Sequence, residues 1–235
     1  MTELYKKSQK VAVFDVDGTI FRDSLLIRLV EALIESGLFP SAANDNYSKE
    51  YQRWQERRGG YHEYISAVVE VFKNNIKGVP YGEFKDLARV VVATHSKHTY
   101  KYTRNMVKEL KAQGYYMLAI SHSPKTILDE FCTTLGFDKV YGMIYEIGPS
   151  DKFTGAITDE HLMLNKANIL KRAIEKEGLS LEGSIGVGDT EGDIPMLEMV
   201  ERPICFNPNS SLYKQAQIRG WEVAVERKDV VYNIK

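Results

Sequence analysis

The stretch 10–20, KVAVFDVDGTI, constrains this chain most. Val11, Val13 and Phe14 form a short β-prone apolar run, and Asp17-Gly18-Thr19 behind it is turn chemistry. A continuous apolar strand needs cover on both faces, which suits the centre of a parallel sheet. Similar runs recur at 115–120, ending at Ser121, and at 184–187, ending at Gly188-Asp189. Helix-periodic segments precede them, 105–112 stopping at Gly114 and 166–176 stopping at Gly178. Glycine just past the last periodic residue is a helix C-terminal signal. The alternation predicts an α/β fold, a doubly wound parallel sheet with right-handed crossovers. Ligands of such sheets sit beyond the carboxyl ends of the strands, where all three runs end in polar residues.

Between Phe21 and about Lys97 the pattern is helical. Leu25, Leu26, Leu29, Val30, Leu33 and Ile34 recur at helical spacing, followed by Tyr47, Tyr51 and Trp54, then Ile65, Val68, Val69 and Phe72, then Phe84, Leu87, Ala88 and Val91. This predicts an all-helical domain, 22–97, inserted into a core made of 1–21 and 98–235. Two β-prone runs, 140–147 and 152–158, flank Gly148-Pro149-Ser150 and read as a hairpin. From Pro203 the pattern gives a strand, a helix ending at Gly220 and a closing strand.

Charge and cysteine usage exclude several classes. With 31 Lys+Arg against 32 Asp+Glu, the chain lacks the basic footprint of a general nucleic-acid binder. No apolar run approaches the roughly 20 residues that span a bilayer, and MTELYKKSQK has no secretory apolar core. Cys132 and Cys205 are far apart, so neither a disulfide framework nor a Cys zinc site is expected; reduced thiols in a cytoplasmic protein are.

The chemistry is carried by acids at strand ends. Asp15 and Asp17 flank Val16 after the first strand, and Asp189 and Asp193 lie in GVGDTEGDIPML after another. Singly, an Asp in a turn is a turn or cap residue. Two convergent pairs would repel unless one carboxyl holds a proton or a cation sits between them. Hard oxygen donors with room for water suit Mg²⁺. Ser121 offers a hydroxyl and Lys166, at a helix start, a cation. A nucleophilic carboxylate, a proton donor, a hydroxyl, a cation and a metal site are what phosphoryl transfer requires.

In this order, Asp15-Val-Asp17-Gly-Thr19, Ser121, Lys166 and Gly188-Asp189-Thr-Glu-Gly-Asp193 resemble the four motifs of the haloacid dehalogenase superfamily of phosphatases. IPMLE, ICFNPN and RGW, with the helical insert and the hairpin, are similar to its phosphoserine-phosphatase-like branch. The resemblance implies a Rossmann-like core with a helical cap. It implies that Asp15 attacks phosphorus to form an aspartyl-phosphate, and that Asp17 protonates the leaving alcohol and later activates water. Ser121 and Lys166 would hold the phosphoryl oxygens. Mg²⁺ would be held by Asp15, the main-chain carbonyl of Asp17 and Asp189, with Asp193 acting through water or orienting Lys166.

Two departures bear on the substrate. Where that branch has a Glu nine positions after the nucleophile, this chain has Ser24. Ser121-His122-Ser123-Pro124 replaces a glycine-rich turn. A small soluble phosphomonoester other than phosphoserine is therefore expected, with His122 beside its phosphate. Alternatives are a phosphotransferase that uses an acceptor alcohol, a lipid-linked substrate, and a non-catalytic phosphate sensor. His95 and His98 read as an exposed helix face rather than metal ligands. The Tyr47/Tyr51/Trp54 stripe with Arg53, Arg57 and Arg58 reads as a bundle seam with a solvated basic flank; base stacking and a lid are the other uses weighed. Cys132 reads as a small buried hydrophobe.

Overall fold

A computed structural model of the chain describes residues 8–234, so the stretch 1–7, read above as lacking a signal peptide, lies outside the described residues. The first apolar run forms β1 (Gln9–Phe14), with Val11, Ala12, Val13 and Phe14 fully buried. On one side of it lie β2 (Tyr116–Pro124), β3 (Lys139–Ile147) and β4 (Phe153–Thr158); on the other lie β5 (Leu179–Gly188), β6 (Arg202–Phe206), β7 (Glu222–Arg227) and β8 (Val230–Ile234). The order is β4-β3-β2-β1-β5-β6-β7-β8, parallel throughout except for the antiparallel edge pairs β3–β4 and β7–β8. The order reverses at β1, so the crevice beyond the ends of β1, β2 and β5 is where such a sheet takes a ligand.

Alternation along β1 divides the core. Ala12 and Phe14 face the side covered by α5 (Lys101–Ala112) and α6 (Lys125–Leu135), against Val107, Leu110, Leu128 and Phe131. Val11 and Val13 face α8 (Lys166–Glu177), which follows the one-turn α7 (Glu160–Met163), against Ile169, Leu170 and Ala173. Burying each large apolar side chain contributes about 1.5–3 kcal/mol, which is why a strand apolar on both faces belongs at the centre.

The segment after β1 is helical: α1 (Leu25–Glu35), α2 (Asp45–Gln55), α3 (Tyr61–Asn75) and α4 (Tyr81–His95). Ser24 caps α1, its Oγ accepting the Ile27 N–H at 3.4 Å. This helical layer is stitched to the edge of the sheet. The Gly78 N–H donates to the Phe153 carbonyl at 2.8 Å, the Phe153 N–H to that of Val79 at 3.0 Å, and the Tyr81 N–H to that of Asp151 at 2.9 Å. Phe72, Phe84, Tyr145 and Phe153 interlock behind that seam, with Phe84 and Phe153 ring centroids 4.9 Å apart.

The expected hairpin forms, β3 pairing antiparallel with β4, and it joins the main sheet because Lys139, Val140 and Tyr141 first pair in parallel with β2. β7 is not the closing strand: β8, VVYNI, adds an antiparallel and almost wholly exposed edge beyond it. Among the described residues no helix is long and apolar enough to cross a membrane.

Candidate active site

Asp15 continues β1, its N–H donating to the Val187 carbonyl at 2.9 Å, and so reaches the crevice beside the end of β5. The residue is 5% exposed. Oδ1 accepts Lys166 Nζ at 2.5 Å, whereas Oδ2 is buried with no hydrogen-bond partner. Lys166, at the first turn of α8, is itself 3% exposed and also donates to Asp193 Oδ1 at 2.5 Å. Burial alone would lower its pKa; the carboxylates of Asp15 and Asp193 more than reverse that and raise it.

Asp193 is fully buried and has no free oxygen. Oδ1 takes Lys166, while Oδ2 accepts the N–H groups of Asp189 and Thr190, each at 3.0 Å, in a capping box with Thr190. It therefore fixes both the lysine and the loop that carries Asp189. Gly188 makes room for it: a Cβ there would lie 2.5 Å from the Asp193 Cβ. Gly18 plays the same part opposite, with φ +80° and its missing Cβ directed at the Asp189 carboxyl. Asp189 Oδ1 accepts the Thr19 hydroxyl at 3.0 Å.

One carboxylate oxygen each from Asp15, Asp189 and Asp193 lie within 4.8 Å of one another. Burial, followed by neighbouring acids, raises Asp189; burial raises Asp15 to about 7 against the pull of Lys166. Three converging carboxylates, one lysine and a bare buried oxygen on Asp15 fit a hard divalent cation, whose charge would reverse both shifts. Among the described residues this is the acidic group with metal-ligand spacing; His95 and His98 do not join one, and His98 packs edge-on against Phe21.

Asp17 turns back into the same crevice. Its Oδ1 accepts the Leu25 N–H at 2.6 Å at the start of α1; its Oδ2 accepts the hydroxyls of Ser121 at 2.5 Å and Ser123 at 2.8 Å. Sequence reasoning missed Ser123. The signal was present, since β2 runs on through Pro124 and an S-x-S pattern on an extended strand puts both hydroxyls on one face. His122 points the other way, partly open to solvent, with Nε2 donating to the Met163 carbonyl at 2.8 Å. Burial, and then the Lys166 charge, hold its pKa below the ordinary imidazole value.

Above the acids stands an aromatic cluster. Trp54 stacks on Tyr64 with centroids 5.5 Å apart and planes 17° apart, and Tyr51 and Tyr61 close around the pair. Burial, and then Asp17, Asp23 and Asp189, raise the Tyr61 hydroxyl, so this ring lies within electrostatic reach of the acids. Arg53, Arg57 and Arg58 are exposed, the solvated flank expected. Arg28 bridges Asp23 and Glu31 at 2.7 and 2.8 Å. Ser24 is occupied as a helix cap.

The model of the haloacid dehalogenase-like hydrolases matches residues 12–198. The chain is 24% identical over 220 residues to a histidinol-phosphatase of Neisseria meningitidis serogroup C, covering 92% of this chain and 98% of that one. It is 22% identical over 228 residues to a phosphoserine phosphatase of Methanocaldococcus jannaschii, covering 96% of each. A solved phospho-aspartyl intermediate analogue of phosphoserine phosphatase superposes with a TM-score of 0.62 at 22% identity, over 95% of this chain and 96% of that one.

Proposed function

The chain belongs to the haloacid dehalogenase-like hydrolases and is a phosphatase of the phosphoserine-phosphatase-like kind, and from that premise we propose a Mg²⁺-dependent phosphomonoesterase working through an aspartyl-phosphate on Asp15. The observation that carries this reading is the Asp15 carboxylate, anchored by Lys166 on one oxygen and bare on the other although buried. A merely structural acid is not left so, because an unsatisfied buried oxygen costs about 1–3 kcal/mol.

In this mechanism Lys166 Nζ and Ser121 Oγ hold the phosphoryl oxygens, while His122, engaged by the Met163 carbonyl on the other face of the strand, flanks Lys166 rather than the phosphate. A carboxylate oxygen of Asp15 bonds to phosphorus as the bond to the alcohol oxygen breaks, and Asp17 gives that oxygen its proton. Asp17 then takes a proton from the water that attacks phosphorus, which releases phosphate and restores Asp15. Asp193 holds Lys166 in place for both steps. Asp15, Asp189 and the main-chain carbonyl of Asp17 would bind Mg²⁺, which supplies cancellation of the charge on the phosphoryl oxygens.

We assign residues 22–97 as the cap and 8–21 with 98–234 as the described part of the catalytic core. The rings of Trp54 and Tyr61, backed by the buried Tyr64, suit the alcohol half of a small metabolite that carries a positive charge or a flat ring. Histidinol phosphate and phosphoserine come to this chain as candidates through its relatives; Ser24, used as a cap, speaks against the second. Two buried free cysteines suit the reducing cytoplasm. The test is phosphate release from 4-nitrophenyl phosphate with and without Mg²⁺. Release that needs Mg²⁺ and vanishes in Asp15→Asn supports the reading, and undiminished release by that variant contradicts it.

A further inference from the structure

Asp17 is held on both oxygens before any ligand arrives. The Leu25 N–H on Oδ1 is main chain and cannot turn away, whereas both donors on Oδ2 are hydroxyls that can. They are not equivalent. Ser121 Oγ also accepts the Ser123 N–H at 3.0 Å, and in the function proposed above its hydroxyl is needed by the phosphoryl group. Once it turns there, Ser123 is the hydroxyl left on Asp17 Oδ2. Ser123 is 4% exposed, so water does not substitute for it readily. A glycine in its place would supply no donor at all.

We propose that Ser123 is a positioning residue that keeps the Asp17 carboxyl aimed at the leaving-group oxygen after Ser121 has been taken by the substrate. The inference rests on the phosphatase mechanism above. As the Asp15–phosphorus bond forms and the phosphorus–alcohol bond breaks, the proton passes from Asp17 to the departing oxygen. The new Asp17 carboxylate is met by the Ser123 hydroxyl and the Leu25 N–H, without waiting for Ser121 to return. Hydrogen bonds to a charged group are the strong ones, so the loss should be felt wherever the leaving group needs a proton.

The experiment compares kcat/KM, which covers the steps up to transfer onto Asp15, for two substrates. 4-Nitrophenyl phosphate has a leaving group that needs little protonation; glycerol phosphate, an alkyl ester, needs it fully. Ser123→Ala should lower kcat/KM on glycerol phosphate by about 10- to 100-fold, and on the aryl ester by no more than about threefold. Ser123→Thr should restore the alkyl activity to within about threefold of the parent. Ser123→Cys, nearly isosteric with a weaker donor, should fall between them and serves in place of Ala if that variant does not fold. An equal loss on both esters, or none on the alkyl ester, overturns the positioning role while leaving the phosphatase reading intact. Failure of the parent protein to release phosphate from either ester overturns the phosphatase reading itself and the inference with it.

Discussion

The acid cluster at the strand ends and the aromatic cluster of the inserted helices lie within electrostatic reach of each other, yet they are built on different physics. Asp15, Asp189 and Asp193 are placed by backbone: a parallel register, a capping box and two glycines that leave no room for error. Trp54, Tyr61 and Tyr64 are placed by one another, ring against ring, on helices whose α2 is largely exposed. Charges that must meet phosphorus at fixed distances belong on the rigid frame. Recognition of an alcohol half can be left to surfaces that repack, and the two clusters are therefore expected to fail differently when altered.

The largest effect should come from the acids. Asp15→Asn should lower kcat by at least about 10⁴-fold on every substrate with the fold retained, measured by phosphate release and circular dichroism. If it lowered kcat on some substrates only, the acid cluster would be acting in recognition and the contrast would fail. Next comes Lys166→Met, which leaves Asp15 and Asp193 buried without their shared cation. We expect a loss of about 10²–10³-fold in kcat/KM and a lower melting temperature, the latter partly recovered by Mg²⁺. A variant that melts as the parent does in Mg²⁺-free buffer would show that the lysine offsets no repulsion.

The aromatic side should respond substrate by substrate. Trp54→Ala should raise KM by about 5- to 20-fold for the preferred substrate while leaving inhibition by inorganic phosphate within about twofold of the parent. A uniform fall in kcat across a substrate panel would instead tie the ring to the chemistry. The smallest effect is a pH dependence of stability. Burial raises Asp15 to about 7 in the cation-free protein, above its ordinary 3.8, so between those values the folded chain binds more protons than the unfolded one. This acid thus lowers stability as pH climbs from about 4 to about 7. Asp15→Asn removes that penalty, so in chelator its melting temperature should exceed that of the parent by an amount that grows from pH 4.5 to pH 7.5. A gap that shrinks over this range would mean that Lys166 holds Asp15 ionised throughout.

Much of the rigid region was legible in the sequence. Strands such as Val11–Phe14 announce a buried sheet, and acids just past their ends can only converge at its carboxyl edge. Less of the rest was legible, for identifiable reasons. β8 is a five-residue, almost wholly exposed edge, too short for periodicity to say much there. The seam from Gly78 to Tyr81 onto Phe153 and Asp151 consists of main-chain bonds between segments some seventy residues apart, which no side-chain pattern encodes. Ser123 looked like a turn residue because a glycine-rich turn was the point of comparison. Only the extension of β2 through Pro124 shows that it shares a face with Ser121.

The most direct measurement is acid-quenched peptide mapping by mass spectrometry during turnover of a phosphomonoester in Mg²⁺. We expect a phosphoryl group on the peptide that contains Asp15, absent from Asp15→Asn and gone once substrate is exhausted. Steady phosphate release with no phosphoryl group on that peptide, or with one on another residue, would contradict the nucleophile assigned to Asp15.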